Sequence, residues 1–180
     1  TEGAIHYAAA KAAQRGGDAR YGLLMLLEAG EYALALGESP VGDKHVKVGK
    51  QRRDEDRVSN LLTHLNTNAQ LALVAMLSLR KKGNSKPIGT DIIEEYNQIG
   101  SAFGNTKGRN SIYNYLTDIE QVGLITRTDG SSGSVRHNLR YPENAVLKKV
   151  DDNLLELLED AGIVSEYEGE YSISTANSLV

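Results

Sequence analysis

A run of six small or turn-forming residues, Asp129-Gly130-Ser131-Ser132-Gly133-Ser134, constrains this chain more than any other stretch. It separates two short segments that read as strands, Leu124-Ile125-Thr126-Arg127-Thr128 and Val135-Arg136-His137-Asn138-Leu139-Arg140-Tyr141. Strand-forming runs on both sides of a Gly/Ser loop read as an antiparallel hairpin.

Helical patterns precede that hairpin. Asn66 or Thr67 caps NAQLALVAMLSLRKK, which carries cations in its last turn and is followed by Gly83. Lys86-Pro87-Ile88 reads as a short strand, and Thr90 as the cap of a second helix, DIIEEYNQI, running towards Gly100 and Gly104. A third helix lies in KGRNSIYNYLTDIEQVG, with Ile112, Leu116 and Ile119 facing the core and Gly123 stopping it. Three helices followed by a hairpin is the organisation of a winged helix, with the third helix for reading and the hairpin as wing.

The start of the chain is also helical. Ala4 to Gln14 is Ala-rich and stops at Gly16-Gly17, and Asp18 is placed to cap the next helix. There Leu23, Leu24, Leu27, Ala29 and Leu34 give an apolar stripe up to Gly37. Ser39-Pro40 reads as a turn and Asp43 as the cap of a helix carrying His45, Val46 and Val48, with a basic end at Lys50, Arg52 and Arg53. The mixed-charge run QRRDEDR reads as a solvated helix face or connector. The expected organisation is a helical domain over 1–57, a winged helix over 58–141 and an acidic tail over 142–180. In that tail NAVLKKVDDNLLELLEDAG reads as an amphipathic helix and IVSEYEGEYSIS as a small hairpin. LLELLEDAGIV echoes LTDIEQVGLIT, a likeness common enough to arise by chance.

Composition narrows the chemistry. With 180 residues, 40 % hydrophobic and 24 % charged, the chain has room for one ordinary domain or two small ones. No Cys is present, which excludes thiolate metal sites and a Cys nucleophile and fits a cytoplasmic location. No apolar run is long enough to span a bilayer, so no membrane role is expected. No G-x-x-x-x-G-K-[ST] loop occurs, His6, His45, His64 and His137 are scattered, and no G-x-S-x-G elbow exists. No catalytic or metal-binding residue is therefore assigned.

Net charge is −4, so nucleic-acid binding needs a local basic footprint. Residues 104–149 supply one: seven cations against four anions. With Ile112, Leu116 and Ile119 inward, Arg109, Asn110, Tyr113 and Asn114 fall on other faces near the start of the reading helix. Arg bonds guanine bidentately and Asn does the same to adenine. Thr106, Lys107 and Ser111 suit a phosphate at the helix start. Arg127 and Arg136 flank the Gly/Ser loop, where Ser132 and Gly133 allow close approach to a DNA backbone or minor groove. A winged-helix transcription regulator and a winged-helix protein-interaction module are the competing readings.

GGDARYGLLMLLEAGEYA resembles the helix opening of the lid subdomain in archaeal AAA+ replication initiators, the family of origin recognition complex subunits and cell division control proteins. LLTHLNTNAQLALVAML, IIEEYN and RNSIYNYLTDIEQVGLI resemble the helices of the same family's winged helix. The likeness runs over roughly residues 1–141, departing at Asn110, where the family often carries a second basic residue. It implies a mainly α fold, an AAA+ lid remnant followed by a winged helix. It further implies origin duplex DNA and the replicative helicase as partners, with this fragment a monomer. Arg20 would be the second sensor arginine for ATP or ADP with Mg in the full-length protein; the fragment itself, lacking the Walker loops, is expected to bind no cofactor and catalyse nothing.

Overall fold

The computed structural model describes residues 1–130 and 133–174. Two compact units divide between Arg57 and Val58.

The first unit is helical. α1 (Glu2–Gln14) is capped by the Thr1 hydroxyl, and α2 (Ala19–Ala35) by the Asp18 carboxylate, which accepts from the Tyr21 amide at 3.0 Å. α3 (Asp43–Leu62) carries the chain across the division without a break. QRRDEDR contains no Gly or Pro, and Gln51–Glu55 and Lys50–Asp54 are i,i+4 pairs that support helix there.

This unit's core is small: Ala4, Ala8, Tyr21, Met25, Ala29 and Val46. Small residues let the helices approach closely. A Cβ on Gly49 would lie 2.5 Å from the Met25 carbonyl oxygen, so α3 crosses α2 there backbone to backbone. Of the apolar stripe expected of α2, Ala29 faces inward, but Leu23, Leu27 and Leu34 are 56–81 % exposed. Tyr21, Met25 and Ala33 complete the inward stripe with Ala29. At 100° per residue the leucines fall on the opposite side, and Gly22, where a Cβ would lie 3.2 Å from the Ala12 side chain, lets α1 pack closely on the inward one.

Asp54, expected on a solvated face, is 2 % exposed. Its carboxylate accepts from Arg15 at 2.8 Å, Lys50 at 2.6 Å and the Tyr21 hydroxyl at 3.2 Å. Burial of a charge is tolerated here because every partner it needs is in place.

The second unit is built around α4 (Thr67–Lys81), capped by Asn66 and buried from Ala69 through Ser78. A helix apolar on all sides belongs at the centre of a core. α5 (Gly89–Ser101) and α6 (Arg109–Gln121) pack on it, and β1 (Ile125–Asp129) pairs antiparallel with β2 (Val135–Leu139), Arg127 opposite His137. The short strand expected at Lys86–Ile88 is one bridge, Ile88 to Arg136, plus the His137 amide donating to the Pro87 carbonyl at 2.9 Å. Thr90 does not cap α5. Helix geometry begins two residues earlier, at Gly89, and the Asp91 carboxylate takes the Ile88 amide at 3.2 Å.

The residues after Pro142 join this same core rather than trailing from it. The single helix expected there is two, α7 (Glu143–Leu147) and α8 (Asp152–Asp160), followed by a hairpin of β3 (Val164–Tyr167) and β4 (Glu170–Ile173). The break falls where the Gln70 side chain of α4 accepts the Asp151 amide at 2.7 Å and Asp151 caps α8. Ala145, Val146, Leu147, Leu154, Leu158 and Ile173 complete the apolar cluster around α4.

Candidate nucleic-acid interface

α6 separates its faces sharply. Ile112, Leu116 and Ile119 are fully buried, whereas Arg109, Asn110 and Asn114 are exposed and Ser111 and Tyr113 half-buried. Gly108 is the N-cap and offers no side chain to the first-turn amides. The start of the helix therefore presents unsatisfied N–H groups beside a guanidinium and two carboxamides, donors suited to an anion or to base edges.

Tyr113 does less facing outward than its spacing implies. Its ring lies against Gly89, where a Cβ would come within 2.5 Å of it, so the ring fills the space that glycine leaves at the start of α5. From there it steadies Arg109, whose guanidinium lies 5.4 Å from the ring centroid and donates to the Tyr113 hydroxyl at 3.4 Å.

The turn between α5 and α6 is tied down from both helices. The Asn97 carboxamide accepts from the Lys107 amide at 2.8 Å and donates to the Lys107 carbonyl at 3.1 Å. Asn105 donates its side chain to Asn68 of α4 at 2.9 Å and its backbone N–H to the Gly100 carbonyl at 2.8 Å. Thr106 is exposed and Lys107 half-buried beside them.

In the hairpin the two arginines differ. Arg127 is held by α6, donating to Glu120 at 2.7 Å and to the Thr117 hydroxyl at 3.0 Å, so its charge is already paired. Arg136 donates to the Lys86 carbonyl at 3.2 Å and pairs with no carboxylate among the described residues. Gly133 is exposed with φ 73°, a conformation glycine adopts without strain; Ser132 lies outside the described residues. His137 is 3 % exposed, and burial, then the charge of Arg127, holds its pKa below the usual histidine value, Glu120 opposing.

Thr106, Lys107, Arg109, Asn110, Ser111 and Asn114 thus gather at the start of α6, while Arg127 is drawn back into an ion pair. Arg20, in the first turn of α2, belongs to the other unit; it is exposed and has no acceptor among the described residues. Asn97, Asn68 and Glu120 escaped the sequence reading, since a polar residue on a helix carries no sign of which loop it will bond.

No group of His, Asp and Glu among the described residues could hold a metal ion, and no helix there is long and apolar enough to cross a membrane.

Residues 1–51 match the family of the Cdc6 AAA+ ATPase-type lid domain. The chain is 26 % identical over 171 residues to ORC1-type DNA replication protein 10 of Halobacterium salinarum, covering 93 % of this chain and 41 % of that protein. With ORC1-type DNA replication protein 1 of Aeropyrum pernix it shares 35 % identity over 118 residues, 65 % of this chain and 30 % of the relative. The solved structure of the Aeropyrum pernix ORC1 protein in complex with DNA superposes with a TM-score of 0.65 at 27 % identity, over 87 % of this chain and 40 % of that one. The chain thus spans 41 % or less of these relatives. A lid-domain match over residues 1–51, together with likeness to these relatives over 65–93 % of the chain, makes it similar to the C-terminal part of archaeal ORC1-type (Cdc6) AAA+ replication initiators.

Proposed function

We propose that the second unit grips origin duplex DNA as part of a replication initiator, with α6 in the major groove and the β1–β2 hairpin over the adjacent minor groove. The observation that carries this reading is the start of α6: an uncapped helix end bearing exposed Arg109, Asn110 and Asn114, with Lys107 beside it and without an acceptor among the described residues. Base-edge donors on the first turns of a helix that stands out from its core are what major-groove reading requires. The solved relative of similar fold was determined with DNA, which supports the same role here.

In the full-length protein the lid would couple this grip to ATP or ADP with Mg held by an ATPase core. Of the groups such a nucleotide needs, this chain offers Arg20, whose exposed guanidinium at a helix start fits a terminal phosphate. The replicative helicase would be the partner of the assembled initiator.

The test is duplex binding by fluorescence anisotropy at two salt concentrations. Arg109→Ala is expected to weaken a preferred sequence by about 5- to 150-fold, the value of one bidentate base contact, and to relax specificity. Arg136→Ala should weaken all sequences alike and lower the log–log salt slope by about 0.9. Absence of duplex binding at low salt would make the unit a protein-contact module. Two-fold binding to a palindrome would make it a dimeric regulator.

A further inference from the structure

The bonding of the α5–α6 turn assigns a role to Asn97, and we propose that it is a positioning residue that holds Lys107 against a DNA phosphate. This inference rests on the duplex-binding reading above and names the contact at the helix start.

Both polar groups of the Asn97 side chain are spent on one residue, the N–H and the C=O of Lys107. A carboxamide matched to both backbone groups of a single residue fixes that peptide in position and orientation, as a strand neighbour would. Around it the turn has little freedom. A Cβ on Gly100 would lie 2.2 Å from the Asn105 carbonyl oxygen, so α5 and the turn touch backbone to backbone. The Asn105 side chain is anchored to Asn68, which also accepts from the Tyr96 hydroxyl at 3.2 Å.

What this anchoring presents is a cation. The Lys107 ammonium has no carboxylate or other acceptor among the described residues, although Lys82 is paired with Glu95 and Arg127 with Glu120 in the same unit. A lysine ordinarily loses much rotamer and loop freedom on meeting a phosphate. With its backbone already fixed two residues before Arg109, Lys107 meets the phosphate beside the α6 amides with part of that cost removed.

Random-sequence duplex of about two helical turns is titrated with the whole chain, wild type, Asn97→Ala, Lys107→Ala and the double variant, at 50 and 200 mM salt. One phosphate contact changes the affinity ratio between those salts by about threefold, from a slope of about 0.9 per contact. Each single variant is expected to lose that threefold salt sensitivity, and the double variant to lose no more than either. Thermal melts run alongside; Ala favours helix at position 97, and Lys107→Ala breaks none of the hydrogen bonds described, so its arm stands even if Asn97→Ala melts early. If Lys107→Ala leaves the salt ratio unchanged, or the two losses add as independent effects, Asn97 merely supports the fold and the proposal fails. The wider reading would survive that result, provided wild type binds and Arg109→Ala weakens it; no wild-type binding would remove both.

Discussion

Asp54 offers the sharpest test of how the small first unit is held together. Half of its six-residue core is Ala, so apolar burial contributes little and the carboxylate buried among Arg15, Lys50 and Tyr21 carries unusual weight. Asp54→Ala removes three hydrogen bonds at 2.6–3.2 Å, two of them from cationic donors. Fully buried, each charged bond would contribute about 1.5–3 kcal/mol. The Arg15 and Lys50 side chains are 28 % and 32 % exposed, however, and turn to water when the carboxylate is gone. Discounting for that screening leaves about 2–4 kcal/mol in all. Asp54→Asn, which keeps the shape and an acceptor, should cost about half as much. The assay is urea unfolding of the whole chain followed by far-UV circular dichroism, at low and high salt. A loss near 2–4 kcal/mol that changes little with salt fits a pair shielded from the solvent. A loss below about 0.5 kcal/mol, or one that vanishes in high salt, would refute the reasoning and reduce Asp54 to a surface ion pair.

Three further expectations follow from the geometry. His137 is buried with its pKa depressed, so its neutral form is favoured in the fold; stability is present above the ordinary value of 6.5 and is lost as pH falls from there through the lowered value. His137→Leu should flatten that acid loss in denaturation midpoints between pH 7 and 5, and an unchanged profile would clear His137 of it. Glu120→Gln frees Arg127 and removes an anion from α6, so duplex affinity should rise and the salt slope steepen by about 0.9; a weaker grip would mean that the ion pair orients the wing. Gly30 has open space around its missing Cβ whereas Gly49 does not. Gly30→Ala should therefore stabilise by roughly 0.5–1 kcal/mol and Gly49→Ala destabilise by about 1–3 kcal/mol in the same melts, and equal effects would contradict the close α2–α3 crossing.

Some of this architecture was readable from local chemistry. Asp18 and Asn66 sit where short polar side chains meet orphan helix amides, and the glycines after α4 and α6 stop those helices at positive φ. The inward face of α6 followed from spacing alone, because Ile112, Leu116 and Ile119 recur at helical period with polar residues between. Hydrophobic period failed on α2, where two apolar faces compete. There the partner decided, since α1 offers alanines and Gly22 of α2 lets them approach closely.

The sequence by itself determined most of the helices and both hairpins, the caps at Asp18 and Asn66, and which face of α6 is apolar, because caps, glycines and periodicity act within a turn or two of the chain. Only the tertiary structure decided that Asp54 is buried, that Arg127 is spent on Glu120, that Asn97 holds Lys107, and that the residues after Pro142 fold into the α4 core. Each of those depends on which groups from distant parts of the chain arrive within about 3 Å, a distance at which pairing energy outweighs any local preference.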